Sequence, residues 1–208
     1  MGCDSPVARQ FIRDQSAAAL KMSATTVGSK VGHSRASGLV ASLHLHPAKS
    51  GEPLSSAEVL HLIAEKGIKE DTRYFGRTSQ STGQPSRRQL SVIERERIAE
   101  HAAVLGLMSI PPGVVRSNIE TTGLDLQALV GQQVEMGTAI VHFYEPRTPC
   151  HKMDAIAPGL CELMKHGRQG VMAEVVRDGV VRAGDAVRAV SAGGRWPASP
   201  PLTESAQS

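Results

Sequence analysis

The chain has 208 residues, 40% of them hydrophobic, and a formal charge of +3, which suits one domain with its own core. With 3% aromatic residues it lacks the stacking rings of a nucleic-acid-binding face, and it has no apolar run of the roughly 18 residues that span a bilayer. Its three cysteines, Cys3, Cys150 and Cys161, form neither a disulfide framework nor a CxxC zinc motif, which favours a reducing compartment. We therefore expect a soluble, cytoplasmic protein whose partners are small anionic molecules rather than nucleic acids or membranes.

Both ends of the chain differ in composition from its middle. Residues 1–36 are rich in Ser and Ala without sustained periodicity, and residues 191–208 are rich in Gly, Pro and Ser. These compositions predict a flexible arm and a disordered tail around a single domain at residues 37–190. The arginines of the arm leave a mitochondrial transit peptide as the alternative, although Asp4 and Asp14 weaken it.

The domain begins with a predicted half-buried strand over residues 38–46. Alternation places every second residue from Leu39 to Leu45 on the inner face, and His44 and His46 on the outer face. Two histidines at this spacing suit a metal, but no third ligand lies nearby in the sequence. We therefore predict a solvated pair.

A capping-box pattern follows at Ser55-Ser56-Ala57-Glu58. Apolar residues at 59, 60, 62 and 63 supply one face, and Gly67 supplies a C-terminal stop. The pattern predicts a short amphipathic helix.

Four arginines lie in the polar loop at residues 68–89: Arg73, Arg77, Arg87 and Arg88. Guanidinium groups grip phosphate through paired hydrogen bonds, so this loop is a candidate anion site. A solvated basic loop is the alternative.

A strand and a helix are predicted next. Residues 90–93 are too apolar for a surface loop, and residues 94–107 have a helical pattern in which Glu94 and Arg97 are spaced to pair across one turn. We expect this helix to be structural.

A further strand is predicted at residues 114–119, with Arg116 and Asn118 on one side as a polar recognition edge. The apolar, β-branched stretch at 134–144 then predicts a buried strand pair.

The sulfur of Cys150 is the candidate reactive atom of the site. Pro149 is expected to end the sheet and expose the sulfur, and Arg147, His151 and Lys152 favour a thiolate electrostatically. The alternative is that Cys150 is a small buried hydrophobe.

The remaining elements are a helix and a hairpin. Residues 158–167 predict a short helix in which Cys161 packs, since Pro stands near its start and Gly at its end. Asp178-Gly179 lies between two β-branched runs, which predicts a β-hairpin with Arg168 just before it.

Several spaced motifs occur in a fixed order: the strand at Gly38, Asp71 with Arg73, Arg88-Gln89-Leu90-Ser91-Val92-Ile93, Arg116-Ser117-Asn118-Ile119, Gly123-Leu124-Asp125-Leu126, Pro149-Cys150, and Arg168-Gln169-Gly170-Val171 to Gly184-Asp185. Together they resemble the MOSC domain family, named for the C-terminal part of molybdenum cofactor sulfurases, over about residues 38–190. The resemblance implies a mainly β, barrel-like fold with a few short helices, in agreement with the strand-rich pattern.

The same resemblance implies a cofactor and its ligands. Cys150 corresponds to the family's characteristic cysteine, which ligates molybdenum or carries sulfur. An anionic pterin, the molybdenum cofactor, would be held by the following side chains: Arg73, Arg77, Arg88, Arg116, Asn118 and Arg168. The family is also associated with pyridoxal phosphate binding, although this chain has no pyridoxal-phosphate domain of its own. Where the family commonly has Gly-Asp-Arg, this chain has Glu70 before Asp71, which is expected to put a carboxylate near the anion site.

Three functions follow from the resemblance. The first is a stand-alone molybdenum-cofactor oxidoreductase, similar to the hydroxylaminopurine-resistance proteins, that reduces N-hydroxylated compounds with electrons from separate donor proteins. The second is a carrier that delivers sulfur or cofactor to another enzyme. The third is a metal-free tailoring enzyme of a biosynthetic pathway, for which Glu70 is the sequence hint.

Overall fold

The computed structural model describes residues 37–49 and 54–190, and the predicted arm and tail lie outside these residues. The described chain is mainly β, as predicted, with two short α-helices. The strands are β1 (Ser37–Leu45), β2 (Ser55–Ala57), β3 (Val59–Ile63), β4 (Gly67–Ile68), β5 (Leu90–Glu94), β6 (Ile119–Thr122), β7 (Gln133–Met136), β8 (Ala139–Pro146), β9 (Val171–Arg177), β10 (Gly179–Arg182) and β11 (Ala186–Ala189). The helices are α1 (Arg95–Val104) and α2 (Leu160–Leu163), with single 3-10 turns at Gln127–Leu129 and His151–Met153. None of the described helices has the length and apolar character needed to cross a membrane.

Seven strands close into a mixed β-barrel. Their order is β11-β7-β8-β9-β5-β6-β1, and β1 pairs again with β11 to complete the ring. The β5–β6 pair is parallel, while the other pairs of the ring are antiparallel. Strand β2 extends the sheet beyond β1, and β10, β3 and β4 form a separate small sheet.

Strand β5 is buried on both faces, which explains its continuous apolar sequence. Val92 belongs to the core inside the barrel, whereas Ile93, its neighbour, belongs to a second core beneath the helices. Consecutive strand residues point to opposite sides of a sheet. Ile98 of α1 and Leu160 of α2 lie in that second core, so both helices are packed on the outside of the barrel wall.

The predicted helix after Ser55 is wrong, because this segment forms β2 and β3. Leu60 and Leu62 are fully buried, and the residues between and beside them are half-buried, so the burial follows a period of two. Leu60 pairs with Val181 and Leu62 with Gly179 of β10. This distant strand gives the leucines their burial and overrides the local capping signal.

The predicted hairpin at Asp178-Gly179 is also wrong. Strand β9 pairs with β8 and β5 in the barrel, whereas β10 pairs with β3 in the small sheet. The chain therefore passes from one sheet to the other at Asp178-Gly179. Asp178 accepts a hydrogen bond from the backbone N–H of Ala64 over 2.7 Å. A Cβ atom at Gly179 would lie 2.3 Å from the backbone nitrogen of Ala139, so this position requires glycine because two backbones touch there.

Two finer predictions about strands are also corrected by the structure. The register of β1 shifts between Val40 and Ser42, which leaves Val40 buried and Leu39 exposed, the reverse of the predicted faces. The predicted strand at 114–119 is mostly turns, since β6 begins only at Ile119.

The predicted pair of Glu94 and Arg97 does not form. The buried Glu94 accepts a hydrogen bond from the backbone N–H of Leu126, and Arg97 pairs with Glu100.

Candidate functional site

Cys150 is exposed at the end of a chain segment that the barrel holds in place. Strand β8 ends at Pro146, and the next backbone N–H, that of Arg147, donates to the carbonyl oxygen of Gly170 over 2.9 Å. The carbonyl oxygen of Cys150 accepts a hydrogen bond from Met153 over 2.9 Å, which turns the chain directly after the thiol. The exposure expected of Cys150 is confirmed, whereas Cys161 is half-buried on α2.

A cavity of about 210 Å³ opens beside this thiol. Its walls come from the residue after β1, the loop before β5, β5 itself, the loop before β6, the segment after β8 and the start of β9. The lining residues are His46, Arg73, Tyr74, Arg88, Gln89, Leu90, Ser91, Arg116, Asn118, Arg147, Cys150, Lys152, Met153 and Met172. We call this space the cation-lined cavity.

Five of these lining residues are cationic, namely Arg73, Arg88, Arg116, Arg147 and Lys152, and none of the lining residues is a carboxylate. Burial lowers the pKa of Arg147 to about 10, and the positive charge of Arg88 acts in the same direction. Burial and the neighbouring Arg73 likewise lower the pKa of Arg116. Positive charges that repel one another in a partly buried space attract an anion.

The loop that carries Arg116 is fixed by hydrogen bonds at both ends. Arg116 has a φ of 61°, a left-handed backbone conformation that is uncommon outside glycine. Its carbonyl oxygen accepts a hydrogen bond from Nη2 of Arg147 over 2.9 Å, and its backbone N–H donates to Gly113 over 3.0 Å. The N–H of Gly113 in turn donates to Oε1 of the buried Glu120 over 2.8 Å.

Asn118 lines the cavity but uses its amide to join strands. Its Oδ1 accepts hydrogen bonds from the backbone N–H and the hydroxyl of Ser91, both at 3.1 Å, and its Nδ2 donates to the carbonyl oxygen of His44 over 3.3 Å. Asn118 therefore braces the wall of the cavity between β5 and β1.

The prediction that His44 and His46 are solvated is wrong. His46 lines the cavity, and its Nδ1 lies 2.8 Å from Oδ2 of the buried Asp71. The ring of Tyr74 packs edge-on against His46, with the ring centroids 4.8 Å apart.

His44 is 1% exposed and belongs to a separate buried network. Its Nε2 lies 2.9 Å from Oγ of Ser42, which donates to Oε2 of Glu120 over 3.1 Å. Arg95 donates to the same carboxylate oxygen over 3.0 Å. Burial lowers the pKa of His44, although Glu120 opposes that effect.

The carboxylate of Glu70 does not line the cavity. It accepts hydrogen bonds from both the backbone N–H and the Nδ1 of His61. These bonds lower the pKa of Glu70 against the opposing effect of its burial. The expected carboxylate near the anion site is therefore absent from the cavity walls.

Five of the seven predicted site residues meet at the cavity: Arg73, Arg88, Arg116, Asn118 and Cys150. Two are elsewhere. The exposed Arg77 places its guanidinium 5.2 Å from the centre of the Tyr74 ring, and the half-buried Arg168 follows α2 outside the cavity, with its carbonyl oxygen 3.0 Å from Nε2 of His101.

Sequence reasoning missed His46 and Tyr74 as cavity residues, and it considered Arg147 and Lys152 only as neighbours of the thiol. A signal existed for Arg147, because it stands three residues before Cys150 where a strand ends. No local signal pointed to His46, since its carboxylate partner Asp71 is 25 residues away.

Comparison with known proteins places these observations in a family. A family model described as MOSC domain matches residues 55–188. The YUAD protein from Bacillus subtilis is 21% identical with a TM-score of 0.62, over 75% of this chain and 97% of that chain. YiiM from Escherichia coli is 21% identical with a TM-score of 0.51, over 76% and 69% of the two chains. YiiM from Geobacillus stearothermophilus is 17% identical with a TM-score of 0.55, over 76% and 77%. At these identities the solved structures show a common fold, and no functionally curated protein matches the sequence.

Proposed function

The chain belongs to the MOSC domain family, and we propose that its cation-lined cavity binds the molybdenum cofactor through Cys150 and reduces N-hydroxylated compounds. One observation carries the proposal: an exposed thiol shares a cavity with five cationic side chains and no carboxylate. A soft sulfur donor suits molybdenum, and guanidinium groups suit a phosphate.

The residues present fit such a group. Arg147 and Arg116 both carry pKa values lowered by burial and by neighbouring cations, so a bound anion would relieve an existing repulsion. The Cys150 thiol stands at the same opening, where a metal-bearing ligand can meet it. When bound, the cofactor supplies two-electron redox chemistry at a metal ion.

The chain's own residues have distinct tasks in this proposal. Arg73, Arg88 and Arg116 bind the anionic end of the ligand and orient it towards the thiol. Leu90 and Met172 give the cavity an apolar wall that limits water. Electrons come from separate donor proteins.

A carrier role is the second candidate, and the exposure of Cys150 favours it. A thiol at the protein surface can pass sulfur or cofactor to an acceptor enzyme without a substrate entering a closed site. The two roles differ in whether the loaded protein itself turns over an N-hydroxylated compound.

The experiment is to purify the wild-type protein and three variants from a cofactor-producing host and to measure pterin, molybdenum and reductase activity separately. Cys150→Ser replaces a soft ligand by a hard one, so it should keep pterin and lose the molybdenum chemistry, seen as loss of reductase activity. Arg116→Ala removes a charge-assisted contact worth roughly 1.5 to 3 kcal/mol, a loss of about ten- to hundredfold in pterin affinity.

Arg97→Ala is the matched control, because Arg97 lies on α1 and pairs with Glu100 outside the cavity. Wild-type pterin and molybdenum in all three variants would contradict cofactor binding in this cavity. If the wild-type protein carries the cofactor but does not reduce an N-hydroxylated base when a chemical reductant is supplied, the reductase function is contradicted. The carrier role is then the one supported.

A further inference from the structure

We propose that His46, oriented by Asp71, is the general acid that delivers a proton to the substrate in the cation-lined cavity. This inference rests on the proposed reductase function. Reducing an N-hydroxylated amine breaks the N–O bond and forms an N–H bond, and the oxygen leaves as water. The balance is two electrons from the donor protein and two protons, so a group within the cavity that can supply a proton has a defined task.

The geometry fixes the orientation of the His46 ring. Oδ1 of Asp71 accepts the backbone N–H groups of Arg73 and Tyr74, both at 3.1 Å. Oδ2 therefore remains to face Nδ1 of His46 at 2.8 Å. A carboxylate held by two backbone donors cannot rotate freely, so it presents one fixed acceptor to the imidazole.

This arrangement also decides which ring nitrogen carries the proton. A carboxylate oxygen only accepts, so Nδ1 must donate to Asp71. Nδ2 of Asn118 lies 3.2 Å from the same nitrogen but has another acceptor, the carbonyl oxygen of His44. With Nδ1 committed to Asp71, Nε2 is the nitrogen that takes up a proton from solvent, and the doubly protonated ring gives that proton to a molecule in the cavity and returns to the Nδ1–H form.

The surroundings suit this role. The side chain of His46 is 13% exposed, and Tyr74 packs edge-on against its ring. The imidazole is thus held in one orientation while it still borders the cavity that contains Cys150. The same constellation of an imidazole and an orienting carboxylate serves acid–base catalysis on unrelated folds.

The decisive variant is Asp71→Asn. Oδ1 must remain the carbonyl oxygen, because two backbone N–H groups donate to that position. The new amide NH₂ then faces Nδ1 of His46 and donates to it, which moves the ring proton to Nε2. The amide cannot accept the Nδ1 proton of the doubly protonated ring that acts as the acid, so kcat should fall by about a hundredfold or more, with KM little changed.

The tautomer is measured directly by the ¹⁵N shifts of the imidazole in protein without cofactor, recorded across a pH series so that the neutral form is identified from the spectra. We expect a protonated Nδ1 in the wild type and a protonated Nε2 in Asp71→Asn. His46→Asn provides the second variant, since it keeps a donor for Asp71 but has no nitrogen that exchanges a proton at neutral pH. It should lower kcat as strongly as Asp71→Asn while pterin content and melting temperature stay near those of the wild type.

His142→Asn is the matched control, because His142 makes the same contact with a carboxylate, 2.9 Å from Nδ1 to Glu174, outside the cavity. If the wild type is active and His46→Asn is equally active, the role of His46 is overturned while the proposed function stands. An unprotonated Nδ1 in the wild type has the same consequence. A loaded but inactive wild type overturns the proposed function, and the role of His46 falls with it.

Discussion

Nη2 of Arg147 donates a hydrogen bond over 2.9 Å to the backbone carbonyl oxygen of Arg116. The guanidinium groups of the two residues repel each other, yet this bond holds the two residues together. Nη1 of Arg147 also contacts the carbonyl oxygen of Val115 over 3.4 Å. One guanidinium thus ties the segment that leads to Cys150 to the loop that carries Arg116.

Arg147→Lys should therefore weaken anion binding although it keeps the charge. An ammonium cannot reproduce the fork that contacts two carbonyl oxygens, so the Arg116 loop loses its anchor. We expect affinity for inorganic pyrophosphate, measured by isothermal titration, to fall by about tenfold. Arg97→Lys, outside the cavity, should leave it unchanged, and an unchanged affinity in Arg147→Lys would show that Arg147 contributes charge alone.

Cys150 should react with an alkylating reagent faster than Cys161 in the folded protein. Cys150 is exposed, whereas Cys161 is half-buried, and its burial and the Asp154 carboxylate raise the pKa of its thiol. Since the thiolate is the reactive form, both effects slow Cys161. Mass spectrometry of timed samples, in a Cys3→Ser background, gives the two rates, and faster labelling of Cys161 would contradict the choice of Cys150 as the working thiol.

Glu120→Ala should destabilise the fold by about 3 kcal/mol, because it leaves the Arg95 guanidinium and the Gly113 N–H without their buried acceptor. Glu100→Ala breaks the ion pair with Arg97 on the exposed side of α1 and should change stability by less than about 0.5 kcal/mol. Urea unfolding of both variants measures the difference. Equal stabilities would mean that the Glu120 network contributes little.

The free energy of unfolding should fall as the pH is lowered from about 8 towards 5.5, mainly below about 6.5, the ordinary histidine pKa. Burial lowers the pKa of both His44 and His101 in the folded state. The unfolded chain then binds more protons in this range, so stability decreases by up to about 1.4 kcal/mol per pH unit for each histidine. His101→Gln should reduce the slope, as pH-dependent urea unfolding can measure, and an unchanged slope would contradict the role of His101.

The fold class and several elements could be predicted from the sequence because their signals are local. Strand β5 and helix α1 follow apolar runs and a helical period, and the exposed Cys150 follows from Pro149 after a strand. Strand β3 was mistaken for a helix because its partner, β10, lies more than 100 residues further along the chain. A capping box reports only on its own neighbours.

In the candidate site, too, the residues with local sequence signals were predictable and those that depend on long-range packing were not. Arg88 and Arg116 belong to motifs that the family resemblance picks out, and they reach the cavity. Arg168 belongs to such a motif too, but its position after α2 depends on how the helix packs, which no local pattern specifies. The pairing of His46 with Asp71 depends on where β1 ends relative to a loop that β3 and β4 position.

The closure of the barrel by β1 and β11 sets an order for folding during synthesis. Strand β1 is the first described strand and β11 the last, yet they are neighbours in the ring. The ring therefore cannot close until almost the whole described chain has left the ribosome. Until then, one edge of β1 and the free edge of β7 lack their strand partner. A nascent chain that stalls before residue 186 would thus expose two unpaired strand edges. At that stage the protein would depend on chaperones that bind incompletely folded chains more than a fold built from local contacts does.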